Sequence, residues 1–92
     1  MSHGEADAAE QIGVHVLFFS VLRERVGAGA VAVSLPAPAT GNVLLDRLIE
    51  RYPALADFRP VVRLAVNQQY VAGETALHDG DEVALLTPTS GG

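Results

Sequence analysis

The sequence contains neither cysteine nor lysine. Without a thiol it can build no disulfide framework and no zinc-thiolate site, and it offers neither a cysteine nucleophile nor a side-chain persulfide. Any sulfur chemistry has to use another atom. All six basic side chains are arginines, set against eleven carboxylates for a formal net charge of −5. That balance opposes the phosphate-neutralising surface nucleic acids require, so no nucleic-acid partner is expected. No apolar run approaches the roughly 20 residues of a membrane span. The opening MSHGEADAAEQ is acidic and alanine-rich where a signal peptide would be basic and then apolar. A cytoplasmic chain with no membrane association is expected. His3, His15 and His78 are scattered without ligand spacing, so no metal is expected. A glycine-rich phosphate loop and a nucleophile–base pair are missing too, so any activation of this chain by ATP would come from a separate enzyme.

What is present suits one compact domain: 92 residues, 49% of them hydrophobic. Residues 1–13 are small, acidic and aperiodic and read as a flexible leader outside the core, with the domain over 14–87 and a flexible tail over 88–92. Val14 to Phe19 is short, β-branched and aromatic, and reads as a strand with apolar residues on both sides. Ser20 to Gly27 reads as a helical turn closed by Gly27. Val31, Val33 and Leu35 then alternate with Ala32 and Ser34, predicting a strand that folds back on the first. Thr40 is placed to cap a helix over 41–51, with Leu44, Leu45, Leu48, Ile49 and Tyr52 on one stripe and Pro53 as its stop. Residues 61–66 predict another strand, Asn67 to Gln69 a turn, Tyr70-Val71 a short return strand, His78 to Asp81 a turn, and Glu82 to Leu86 the last strand.

One principal helix must therefore serve four or five strands, which predicts an α+β roll. A single helix covers one face of such a sheet. Strands 14–19 and 82–86, apolar on both sides, would leave apolar surface on the other face for something else to cover.

The last two residues are the most informative. Pro88 stops the sheet, and the chain then sheds every side chain to end in Gly91-Gly92. A backbone filament of this kind can enter a narrow channel that any side chain would block. Its α-carboxylate is anionic at neutral pH and a poor electrophile, so it needs activation.

From Val14 to Gly92 the sequence resembles the ubiquitin-like β-grasp sulfur carriers, the MoaD/ThiS family. The resemblance rests on Val16-Leu17-Phe18-Phe19 followed by Leu22-Arg23-Glu24, on Ala65-Val66-Asn67-Gln68, and on Leu77-His78-Asp79-Gly80-Asp81-Glu82-Val83-Ala84 running into Pro88-Thr89-Ser90-Gly91-Gly92. It implies a ubiquitin-like β-grasp roll, a mixed sheet of four to five strands packed on one main helix. It also implies a non-catalytic, sulfur-carrying role in molybdenum cofactor biosynthesis. Gly92 would be adenylated with ATP by a ubiquitin-activator-like (MoeB-like) adenylyltransferase and converted to a thiocarboxylate by a sulfur donor. The tail, Pro88, Thr89, Ser90 and Gly91, would then enter the large (MoaE-like) subunit of a molybdopterin synthase and give its sulfur to cyclic pyranopterin monophosphate. No cofactor would be bound stably, and the assembly would be a heterotetramer of two small and two large subunits. Phe18 or Phe19, together with Leu86, would anchor the partner interface. Arg23 reads with Glu24 as a solvated turn and is a further interface candidate.

Thr87 stands where family tails often carry a first proline. A thiamine-pathway (thiazole) carrier is one alternative, a ubiquitin-like protein modifier another, and a plain adaptor with dispensable glycines a third. With no lysine, a modifier of this sequence could not build chains on its own side chains. Asn67 reads as tolerating an unusual turn backbone. Asp79, Asp81 and Glu82 lack calcium-loop spacing and read as turn residues or an acidic docking patch.

Overall fold

The computed structural model describes residues 10–88, and over that span the chain folds as strands wrapped around one long helix. Strand β1 (Gln11–Phe18) leads into helix α1 (Ser20–Val26), which Gly27 closes in the left-handed conformation at φ 84°. Strand β2 (Ala30–Pro36) returns antiparallel to β1. A two-residue strand, β3 (Ala39–Thr40), ends at the cap of helix α2 (Gly41–Arg51), where the Thr40 hydroxyl accepts from the Val43 N–H at 3.3 Å. Pro53 ends α2 as expected, yet the chain coils on through a 3₁₀ turn (Pro53–Phe58) that buries Leu55. Strands β4 (Arg63–Val66), β5 (Gln69–Val71), β6 (Ala76–Leu77) and β7 (Glu82–Leu86) complete the fold.

The main sheet has five strands in the order β2-β1-β7-β4-β5, and β3 and β6 form a separate two-stranded sheet. β1 and β7 are parallel while their other neighbours run antiparallel, so the sheet is mixed. This is the α+β β-grasp roll. The alternation of each strand sends one set of side chains under the helices: Val14, Val16 and Phe18, Val33 and Leu35, Leu64, Val83 and Leu85 meet Leu22, Leu44, Leu45, Leu48 and Leu55 in one core. No helix among the described residues is long and apolar enough to cross a membrane.

Three sequence expectations need correcting. The domain begins before Val14: Gln11, Ile12 and Gly13 already pair with Pro36, Leu35 and Ser34 of β2, so residues 11–13 of the expected leader belong to the sheet. Backbone pairing does not need apolar side chains, and hydropathy therefore understated the strand. Val61 and Val62 precede β4 instead of opening it, because their N–H groups donate to the Phe58 carbonyl at 2.9 and 2.8 Å and so continue the 3₁₀ turn. Phe18 is 2% exposed and packs edge-on against Tyr52 at 6.0 Å between ring centroids, so it is a core residue and no docking anchor.

Candidate functional site at the tail exit

The outer face of the sheet bears the residues of opposite parity. Pairing aligns Ala30, Leu17, Ala84, Ala65 and Tyr70 in a single row across all five strands. The helices lie on the other side, so this row belongs to the face they leave uncovered, with Ala65 alone in it buried by its neighbours. Tyr70 is the most open large side chain in it, at 71% exposure. Small alanines keep the row shallow, and only Leu17 and Tyr70 stand above it.

Two residues beyond Ala84, the middle member of that row, β7 ends and the chain leaves the sheet. β7 lies between β1 and β4, its pairing with β1 reaching Phe18↔Leu85 and its pairing with β4 reaching Arg63↔Leu86. Thr87 and Pro88 follow, and Pro88 lacks the N–H that another ladder bond would need. An open hollow of about 480 Å³ surrounds this exit, lined by Arg63, Tyr70, Leu86, Thr87 and Pro88. Phe19 emerges beside it on the far side of β7, 44% exposed, because the parity that buries Phe18 turns its neighbour outward. Leu86 is half-buried, and Arg23 lies exposed on α1. Of the expected interface residues the fold thus places Phe19, Leu86 and Arg23 at the surface of one end of the sheet. Thr89, Ser90, Gly91 and Gly92 lie outside the described residues, and Pro88 is the last of the tail within them.

Arg63 and Tyr70 were not legible as site residues. Alternation within 63–66 sets Arg63 opposite Leu64, but only strand pairing brings it beside Leu86. The opposite end of β7 is built differently. Asn67 and Gln68 both take positive φ, 50° and 74°, and make the two-residue turn joining β4 to β5. The Asn67 side chain also donates to Asp81 Oδ1 at 2.9 Å and accepts from the Glu82 N–H at 3.1 Å. Asp81 Oδ2 accepts from the His78 N–H at 2.8 Å, and Asp79 Oδ1 accepts from the Gly13 N–H at 2.7 Å. Asp79 and Asp81 are therefore tied to the backbone N–H groups of Gly13 and His78 and to the Asn67 amide, which gives both a structural role in the turn. No group of three or more metal-ligating side chains occurs among the described residues.

Residues 16–92 match the sequence pattern of the ThiS family. The chain is 32% identical to the molybdopterin synthase sulfur carrier subunit of Arabidopsis thaliana over 88 residues, covering 96% of this chain and 92% of the plant protein. Among solved structures it is similar to a putative molybdopterin converting factor, subunit 1, from Pyrococcus furiosus, at 26% identity and a TM-score of 0.78 over 85% of this chain and 99% of that one. It is similar as well to the small archaeal modifier protein 1 of H. volcanii, at 27% identity and a TM-score of 0.79 over 85% of this chain and 99% of that one.

Proposed function

The chain belongs to the ThiS family, and from that premise we propose that it is the sulfur-carrier subunit of a cytoplasmic molybdopterin synthase. The observation that carries the reading is the tail exit. The central strand of the sheet delivers the chain end at Pro88 through an open, partly apolar hollow, and the sequence beyond it thins to Gly91-Gly92. The domain is the handle, and the Gly92 carboxylate is the working group.

The chemistry follows from that carboxylate. An activating adenylyltransferase joins it to the α-phosphoryl group of ATP and releases pyrophosphate, turning a poor electrophile into an acyl adenylate. The terminal sulfur of a donor-protein persulfide attacks the acyl carbon and AMP departs; a second donor thiolate then attacks the other sulfur of the resulting acyl disulfide, which leaves a disulfide on the donor and a terminal thiocarboxylate on Gly92. Its sulfur is soft and nucleophilic, which is how a chain without cysteine can carry sulfur. The synthase large subunit then receives the tail, and sulfur passes to the cyclic pyranopterin phosphate in that subunit's site. Phe19 and Leu86, beside the exit, are the apolar contacts suited to hold the domain while this happens.

The test is intact-mass analysis after incubation with ATP, the activating enzyme and a sulfur source. The expected product is one sulfur in place of one oxygen, mapped to Gly92 by fragmentation. Deleting Gly92 should abolish the mass change and leave the melting temperature of the domain where it was. A wild-type chain that stays unmodified while a known carrier is converted refutes the proposal. The likeness to the H. volcanii modifier supports a second reading, attachment of the tail to lysines of other proteins. Gly92 recovered in amide linkage to a foreign lysine would establish it.

A further inference from the structure

We infer that Arg63 is a specificity contact of the tail exit, receiving a carboxylate that the partner protein presents from within an otherwise apolar docking surface. The inference rests on the carrier reading and takes the synthase large subunit as the occupant.

The tail itself dictates where a partner must sit. Four residues follow Pro88, and four residues span at most about 14 Å when fully extended. A protein that holds Gly92 in its active site is therefore brought against the hollow from which the tail emerges. Arg63 lines that hollow together with Tyr70 and Leu86. It is exposed, and its neighbour Leu64 is turned into the core.

The other arginines are mostly committed elsewhere. Arg59 pairs with Asp46 at 2.6 Å and Arg47 with Glu50 at 3.9 Å, while Arg25 lies over the Phe58 ring and Arg51 over the Tyr52 ring. Arg23 and Arg63 have neither kind of partner among the described residues, and only Arg63 lines the exit. Asp79 and Asp81 lie at the far end of β7, held there by Gly13, His78 and Asn67. A chain of net charge −5 thus places a guanidinium without an ion pair among the described residues where its tail is handed over.

A guanidinium among a tyrosine, a leucine and a proline keeps its planar fork of donors but loses surrounding water once a partner covers it. A carboxylate is the group that fits that fork, in two parallel hydrogen bonds. The contribution of Arg63 is to orientation and partner choice.

Binding of the full chain to the synthase large subunit of the same organism, followed by calorimetry, tests this. Arg63→Ala should weaken the complex at least about tenfold and Arg63→Glu about a hundredfold, with Arg63→Lys between the wild type and Arg63→Ala because it keeps the charge but not the fork. Arg47→Glu, on the exposed side of α2, makes the same change in net charge and should bind like the wild type. Melting curves confirm that each variant is folded. Arg63→Glu binding within threefold of the wild type, or Arg47→Glu losing as much, overturns the inference while the carrier reading stands. A wild-type chain that does not bind the large subunit refutes the carrier reading itself.

Discussion

Phe18 and Phe19 are adjacent and chemically identical, yet the fold gives them opposite duties, and alanine at each position should separate those duties cleanly. Phe18 is 2% exposed and packs edge-on against Tyr52. Removing such a ring from a closed core costs about 3–5 kcal/mol, through lost burial and the cavity left behind. That is a large share of the roughly 5–15 kcal/mol that holds a domain together. At about 4–8 °C per kcal/mol for a domain of this size, Phe18→Ala should lower the melting temperature by about 12–40 °C. Phe19 is 44% exposed, and its alanine variant should lose about 1 kcal/mol or less of stability. The surface it still shows to water, about 90 Å², corresponds to about 2 kcal/mol on being covered by a partner. Phe19→Ala should therefore melt near the wild type and bind its partner more weakly by more than tenfold. Thermal melts followed by circular dichroism and a binding titration read both quantities. Equal melting temperatures for the two variants, or Phe19→Ala as the less stable, would refute the assignment of faces in β1.

Other positions yield smaller, separable effects. A Cβ on Gly41 would stand 2.5 Å from Leu64 Cδ1 and 3.1 Å from the Gly73 carbonyl oxygen, so Gly41→Ala should cost about 1–3 kcal/mol in urea unfolding; an unchanged midpoint contradicts the close packing of α2 on β4. Asn67→Ala should cost about 2–3 kcal/mol, from two lost hydrogen bonds and a left-handed backbone now carrying a poorly suited side chain. Asn67→Gly relieves the backbone part alone and should recover about 1 kcal/mol of that loss, and if glycine is no better than alanine, the turn conformation is not the source. Asp46→Asn breaks an ion pair whose side chains are 66% and 36% exposed and should change stability by less than about 1 kcal/mol; a larger fall at moderate salt would mean that Arg59 anchors the 3₁₀ turn.

How far the sequence could be read depended on whether a feature was local. The Thr40 cap, the apolar stripe of α2, the Gly27 stop and the alternation of β2 all rest on residues within a few positions of one another, and each matches the structure. The two faces of β1 were harder, since Val14, Val16, Leu17, Phe18 and Phe19 leave its alternation blurred. His15 held the missing signal: a polar residue set outward fixes the parity that sends Leu17 and Phe19 out and Phe18 in. The pairings that assemble the exit, Arg63 beside Leu86 and Tyr70 beside Ala65, join positions distant or reversed along the chain, which no periodicity reports. The links from Asn67 to Asp81 and from Asp79 to Gly13 span 14 and 66 positions and were invisible for the same reason. The two-residue strands β3 and β6 are too short to leave a pattern at all.

β7 is gripped from both sides, by four register pairs with β1 and four with β4. A pull along the tail, of the kind felt when the chain end is drawn out of a tight channel, therefore runs lengthwise through the middle of the sheet. It loads both ladders in shear at the same moment and offers no outer strand that could be peeled away one bond at a time. The domain is in this sense a mechanical anchor: its chain end can be seized, threaded and withdrawn while the body behind it keeps its shape.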